Sequence, residues 1–120
     1  MSGGLLSWTS MPGQVSTTSA HGRDTSLTGM PIRVPEIAAT FSDVAYVARG
    51  SVHSAKEINR LKGYVRNAID AQLSGEGYAL VEVLCQCPTN WGMSVEKSIQ
   101  WMEKEVVPYY ELGELKGRRK

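Results

Sequence analysis

Tyr78-Ala79-Leu80-Val81-Glu82-Val83-Leu84-Cys85 is the stretch that decides the fold. It is apolar on both alternating faces, broken only by Glu82. A strand with one wet face alternates. A run that is apolar throughout reads as a central strand of a parallel sheet, covered on both sides. Glu82 is then a carboxylate in apolar surroundings, and it needs a partner or a proton. The expected partner is a backbone group or a basic side chain, with a catalytic role as the alternative. Upstream lies a helix signal. Ser54 and Glu57 have capping-box spacing, and Ile58, Leu61, Val65, Ile69 and Leu73 recur three and four residues apart as one apolar stripe. Ser74-Gly75-Glu76-Gly77 closes that helix with a glycine suited to a left-handed cap. Before it, Val44-Ala45-Tyr46-Val47-Ala48 reads as a short strand ending near Gly50. Strand, helix and strand make a right-handed βαβ unit.

Two shorter helices flank this unit. Pro35-Glu36-Ile37-Ala38-Ala39-Thr40-Phe41 fits a helix with Pro35 in its first turn. A last helix starts at Ser94, lines one side with Val95, Ile99, Met102 and Val106, and is expected to stop at Pro108. The end, Lys116-Gly117-Arg118-Arg119-Lys120, is expected to be a solvated basic tail, with a phosphate or partner contact as the alternative. Two strands do not make a stable parallel sheet. The missing strands are expected from upstream sequence or from another chain.

The remainder of the composition narrows the class. The chain has 120 residues, a net charge of +1 and 42% hydrophobic residues, which suits one globular domain. Near-zero charge argues against a general nucleic-acid binder. No apolar run has the length a membrane helix needs, and no secretory signal is visible. The expected compartment is therefore the cytoplasm, and Cys85 and Cys87 are expected to be thiols or metal ligands rather than a disulfide. Residues 1–30 hold only Arg23 and Asp24 among the charged types. This Gly, Ser, Thr and Pro-rich opening is a long polar loop or arm, of the kind that in compact domains is functional or disordered.

The chemistry is expected where the buried strand ends. Ligands of open α/β sheets collect outside the carboxyl ends of the strands. Here that end is Cys85-Gln86-Cys87-Pro88-Thr89-Asn90-Trp91-Gly92. From spacing alone, each thiol is either a small buried apolar residue or a metal ligand, and one or two thiolates cannot complete a tetrahedral site. His21, beside Arg23, either faces an anion or is an exposed loop residue. His53 precedes a helix start and is expected to be structural. Trp8, Trp91 and Trp101 are expected to pack, with Trp91 the candidate for an interface.

Cys87-Pro88-Thr89-Asn90-Trp91-Gly92-Met93, after Leu80-Val81-Glu82-Val83-Leu84, resembles the C-terminal part of the β subunit of 2-oxoacid:ferredoxin oxidoreductases. Met1-Ser2-Gly3-Gly4 is similar to the Met-Thr-Gly-Gly segment that closes the family's thiamine-diphosphate motif. Pro12-Gly13-Gln14, Ser16-Thr17-Thr18, His21-Gly22-Arg23-Asp24, Ala45-Tyr46-Val47-Ala48-Arg49, Ser51-Val52-His53 and Pro108-Tyr109-Tyr110 follow in the family's order. The resemblance is closest to the type that acts on 2-oxoglutarate or branched-chain 2-oxoacids such as 2-oxoisovalerate, without separating the two.

That resemblance implies the C-terminal half of a thiamine-diphosphate-binding doubly wound parallel sheet, an α/β fold with a long irregular N-terminal arm. It divides the chain into a cofactor-side loop at 1–33, a βαβ-type body at 34–110 and a basic tail at 111–120. It implies oxidative decarboxylation of a 2-oxoacid to an acyl-coenzyme A, with electrons leaving through a four-iron four-sulfur cluster to ferredoxin, beside companion subunits. Ser2, Gly3 and Gly4 become the diphosphate-side turn. Cys87 becomes the last of four cluster thiolates. Cys85 falls where the family varies and is not counted as a ligand. The Gly-Asp-Gly-Asp and Asn-containing stretches that hold magnesium in the family do not occur in these 120 residues. The isolated chain is therefore expected to be inactive and to bind the cofactor weakly, and no catalytic residue is assigned. The alternatives are a non-catalytic interaction module and a truncated remnant of the subunit, poorly folded alone.

Overall fold

The structure, a computed structural model, describes residues 10–118. Two compact units make up the chain: Met1–Arg33 with Gln86–Tyr109, and Val34–Cys85 with Tyr110–Lys120. In chain order the elements are α1 (Thr25–Thr28), α2 (Val34–Ala39), β1 (Val44–Ser51), α3 (Ala55–Leu73), β2 (Tyr78–Leu84), α4 (Pro88–Trp91), α5 (Val95–Trp101), a π-helical turn (Met102–Val106), α6 (Val107–Tyr109) and β3 (Gly113–Lys116).

The second unit is a small α/β layer. Strands β1 and β2 are parallel and joined by α3, as the strand-helix-strand pattern implies. Both ends of α3 follow the sequence signals. The Ser54 hydroxyl accepts from the Glu57 N–H. At the other end Gly75 N–H donates to Gln72 O and Glu76 N–H to Ala71 O, with Gly75 at φ +67°. This paired closure needs a left-handed residue, which glycine supplies without strain. Gly77 is more tightly constrained: a Cβ there would lie 2.5 Å from Asp43 O.

The sheet order is β2-β1-β3, so among the described residues the central strand is β1, and the stretch 78–85, expected to be central, supplies an edge strand. Every residue of β1 is buried, whereas β2 exposes Tyr78 and Val83. The third strand comes from the end of the chain, where a solvated tail was expected. β3 lies antiparallel to β1 because its side chains have partners along that edge. Glu114 accepts from Tyr46 Oη (2.6 Å) and Asn67 Nδ2 (3.0 Å), and Lys116 Nζ donates to Phe41 O (2.6 Å). Burial, and then Glu114, push the Tyr46 hydroxyl well above the usual phenol range. Beyond the strand, Arg118 forms a close ion pair with Glu76.

Helix α3 packs on the sheet through small residues. Ala45, Tyr46, Ala48 and Ala71 form a buried cluster, lined by Tyr64, Ala68, Ala79 and Val81. The stripe Ile58, Val65, Ile69 and Leu73, expected to face the core, is exposed. At about 100° per residue, Ala68 and Ala71 lie roughly a third of a turn away from that stripe. The short side chains win the sheet because they let the helix backbone approach β1 closely, with Tyr64 filling the remaining depth.

The opposite face of the sheet is organised by charge. Ala48 and Arg49 are neighbours on β1 and so point to opposite faces. Arg49 is completely buried. Its Nη1 and Nη2 donate to the two oxygens of Glu36 on α2 (2.8 and 2.6 Å). Its Nε bonds Glu82, the residue opposite it in the β1–β2 register, and its guanidinium lies over the Tyr110 ring, 5.0 Å from the centroid. Burial works against the charge on Arg49, but the hydrogen bonds it donates to Glu36 and Glu82 outweigh it and raise its affinity for the proton. The partner that Glu82 required is thus a basic side chain.

In the first unit, α5 begins at Ser94, whose hydroxyl accepts from the Lys97 N–H. The helix does not stop at Pro108. The π turn intervenes, with Val107 N–H bonded to Met102 O, and α6 continues to Tyr109. Proline lacks a donor and clashes with the carbonyl four residues earlier in a regular helix. The wider turn relieves that clash, as π turns do where a helix absorbs an irregularity. Met102 and Val106 are buried as expected, while Val95 is exposed.

Two consequences are testable. Arg49→Met should destabilise the chain by about 3 kcal/mol in urea unfolding followed by circular dichroism, because it strands two carboxylates; Glu36→Gln should cost less, and equal costs would remove Arg49 from its central place. Arg118 holds the Glu76 carboxyl below its ordinary value of 4.5. A depressed carboxyl favours the folded state above its ordinary value, and that advantage is lost as the pH falls through the folded value. The melting-temperature gap between the wild-type chain and Glu76→Gln should therefore be present at neutral pH and narrow as the pH falls below the ordinary value of 4.5; a gap independent of pH would contradict the pairing.

Candidate functional site

The polar opening and the connection after β2, singled out separately from the sequence, belong to the same unit. They touch at Thr17 and Asn90. Thr17 N–H donates to Asn90 O (2.9 Å), and the Thr17 hydroxyl makes a close hydrogen bond to Asn90 Oδ1. A shallow depression lined by Val15, Ser16, Thr17, Asn90, Trp91 and Gly92 marks the contact.

Residues 10–33 are held around a buried arginine. Arg23 donates through Nη1 to Ser10 O (2.8 Å), through Nη2 to Gly29 O (3.1 Å) and through Nε to Thr28 Oγ1 (3.2 Å). Its own backbone pairs with the loop: Gly13 N–H donates to Arg23 O (2.9 Å) and Arg23 N–H to Gln14 O (3.1 Å). Ser10, Gln14 and Ser16 are buried with it. A guanidinium has five donors in a rigid fork, and here they gather carbonyls that a loop without ladders would otherwise leave unpaired. Next to it, Asp24 Oδ1 accepts from Ser26 Oγ (2.6 Å) and Ser26 N–H (2.8 Å) and caps α1. The Ser26 side-chain bond, followed by its backbone bond, holds the Asp24 carboxyl below the usual range.

Cys87 is half-buried and stands at the N-cap of α4. Pro88 opens the helix, Trp91 N–H returns to Cys87 O (3.0 Å), and Gly92 ends it with φ +62°. The sequence Cys-Pro-Thr-Asn-Trp-Gly thus encodes one tight turn that presents a thiol at its start. Trp91 is buried, only 4% exposed, which corrects its expected place as the candidate interface residue. Cys85 is exposed just past β2. His21 is exposed, and the cation beside it is committed inward. His53 Nδ1 lies 2.7 Å from Ser51 Oγ, which also reaches Leu84 O (3.2 Å). That bond ties the end of β1 to the end of β2 and fits the structural role expected for His53. Ser2, Gly3, Gly4 and Trp8 lie outside the described residues.

Sequence reasoning missed three of these contributions. Arg23 had one signal, being the sole cation among thirty residues full of carbonyl and hydroxyl oxygens. The Thr17–Asn90 bond spans 73 positions and had none. Arg49 was quoted only as the end of a motif, although a charged residue after five apolar strand positions marks a buried charge in need of partners.

Two curated relatives resemble the chain over most of its length. Ketoisovalerate oxidoreductase subunit VorA from Methanothermobacter thermautotrophicus is 30% identical over 118 residues, covering 98% of this chain and 25% of that protein. The subunit of the same name from Methanothermobacter marburgensis is 33% identical over 106 residues, 88% of this chain and 22% of that protein. The chain is homologous to a segment of these oxidoreductase subunits and spans about a quarter of their length. No family model matches, and no solved structure does. No helix among the described residues is long and apolar enough to cross a membrane.

The Thr17–Asn90 contact can be tested directly. Asn90→Ala should increase cleavage by a nonspecific protease between residues 10 and 33 about fivefold, since it removes the side-chain bond while the backbone bond stays, and a local opening then becomes about 1 kcal/mol easier. Unchanged cleavage would show that Arg23 alone holds the loop.

Proposed function

We propose that this chain is part of the β subunit of a 2-oxoacid:ferredoxin oxidoreductase, where it supplies one wall of the thiamine-diphosphate site and one cluster thiolate. The observation that supports this reading is the meeting of the polar loop with the Cys87-Pro88-Thr89-Asn90-Trp91-Gly92 turn, in a chain that is homologous over nearly all of its own length to about a quarter of VorA subunits. In this reading Ser2, Gly3 and Gly4 face the diphosphate, and Cys87 is the one thiolate offered to a four-iron four-sulfur cluster. The residues present do not complete the cofactor sites. Among the described residues no group of three His, Cys, Asp or Glu side chains is placed to hold a metal ion. In this reading the remaining cluster thiolates and the magnesium ligands come from outside these 120 residues, from upstream sequence or from another chain, and the isolated chain is inactive. The assembled enzyme oxidatively decarboxylates a 2-oxoacid to its acyl-coenzyme A and passes electrons to ferredoxin in the cytoplasm. What this chain's own residues do is positional: Arg23 and the Thr17–Asn90 bond set the loop, and α4 sets the thiol.

A second reading, a non-catalytic interaction module on the same fold, is favoured by the apolar helix face that the unit leaves uncovered. One experiment separates them. Co-expressed with companion oxidoreductase subunits, the complex should contain iron and acid-labile sulfide that Cys87→Ser removes while the complex persists. An iron-free stable complex would support the module and overturn the enzyme reading. The chain alone, titrated with magnesium and thiamine diphosphate, should show no micromolar binding; such binding would refute the division of cofactor ligands.

A further inference from the structure

Helix α3 has two apolar faces that meet at Leu61, whose side chain packs against Gly50 of β1; the rest of the second face is not used by the sheet. Ala68, Ala71 and Tyr64 pack on β1 and β2. The second face is a shallow groove along the helix, lined by Ile58, Leu61, Lys62, Val65, Arg66 and Ile69. Val65 is 40% exposed and Ile69 53%. An apolar face of this length, with i, i+3 and i+4 spacing, is an uncommon thing to leave in water.

We propose that this face is a docking groove for an amphipathic helix of another polypeptide, one whose apolar stripe is flanked by carboxylates. The shape argues for a helix. All the lining residues belong to α3 and form its own ridges, spanning about 16 Å from Ile58 to Ile69, and ridges of this kind accept the ridges of a second helix. The charge argues for an acidic flank. Lys62 and Arg66 run along one side of the groove four residues apart, and no acidic side chain lines it. The acidic residues of the helix are already engaged, Glu57 with Arg60 and Asp70 with Arg118. Among the described residues Lys62 reaches only Asn59 Oδ1 (3.4 Å), and neither cation has a carboxylate partner.

The same charge argues against a second copy of this chain. A twofold antiparallel pairing of α3 centred between positions 62 and 66 would bring the two cations of one copy onto those of the other. An acidic-flanked helix buries the stripe and neutralises the cations together. The inference rests on α3 alone and stands whether or not the chain serves the proposed enzyme.

The test uses the full chain and two synthetic helical peptides with the same leucine and isoleucine stripe, one flanked by glutamate and one by lysine. Fluorescence anisotropy should show the glutamate-flanked peptide binding about fivefold tighter at low ionic strength, the worth of two exposed ion pairs. The preference should shrink in high salt. The solvent-side double substitution Lys62→Glu with Arg66→Glu should reverse it, with circular dichroism confirming an unchanged fold. Val65→Asp should abolish binding of both peptides. The proposal is overturned if neither peptide binds, if both bind equally, or if the charge reversal leaves the preference unchanged. Sedimentation showing a dimer of the chain that Val65→Asp disperses would overturn it in favour of self-association.

Discussion

Arg49 is the constraint on which the second unit depends. A guanidinium with no exposed surface sits on the central strand, and every element of its face answers to it. Glu36 brings α2, Glu82 brings β2, and Glu111 O and the Tyr110 ring bring the segment leading to β3. Desolvating that charge costs several kcal/mol, and the surrounding bonds must offset it. The arrangement is specific because a guanidinium accepts bidentate and planar partners in fixed directions. An apolar residue at position 49 would pack against α2 in many ways. Arginine admits few.

The first unit applies the same device to an irregular segment. It has no sheet to absorb backbone polarity, so Arg23 gathers Ser10 O, Gly29 O and the Thr28 hydroxyl from one centre. The loop so held meets α4 at Thr17 and Asn90, and α4 carries Cys87 at its cap. The chain that carries this loop and turn is homologous to about a quarter of an oxidoreductase subunit.

Helix α3 shows where a periodicity argument misleads. Its large aliphatic side chains make the strongest pattern in the sequence, yet apart from Leu61, which meets Gly50, they face outward, and alanines hold the sheet. The pattern records that a face is to be buried. It does not record by what. For the same reason 78–84 looked like a central strand: its two-sided apolarity is real, but among the described residues one of its edges has no strand beside it.

Local signals determined a good deal of this protein by themselves. The Ser54–Glu57 cap, the Gly75 closure, the parallel strands around α3, the Ser94 start and the need of Glu82 for a partner all follow from interactions within a few residues or from the cost of burying a charge. Tertiary structure alone decided which strand is central, that 113–116 joins the sheet, which face of α3 is covered, that a widened turn carries the last helix past Pro108, and that Thr17 meets Asn90. Those outcomes depend on competition between distant segments for the same surface. That competition is settled by close packing and by the pairing of buried charges, and neither is written in the neighbourhood of any single residue.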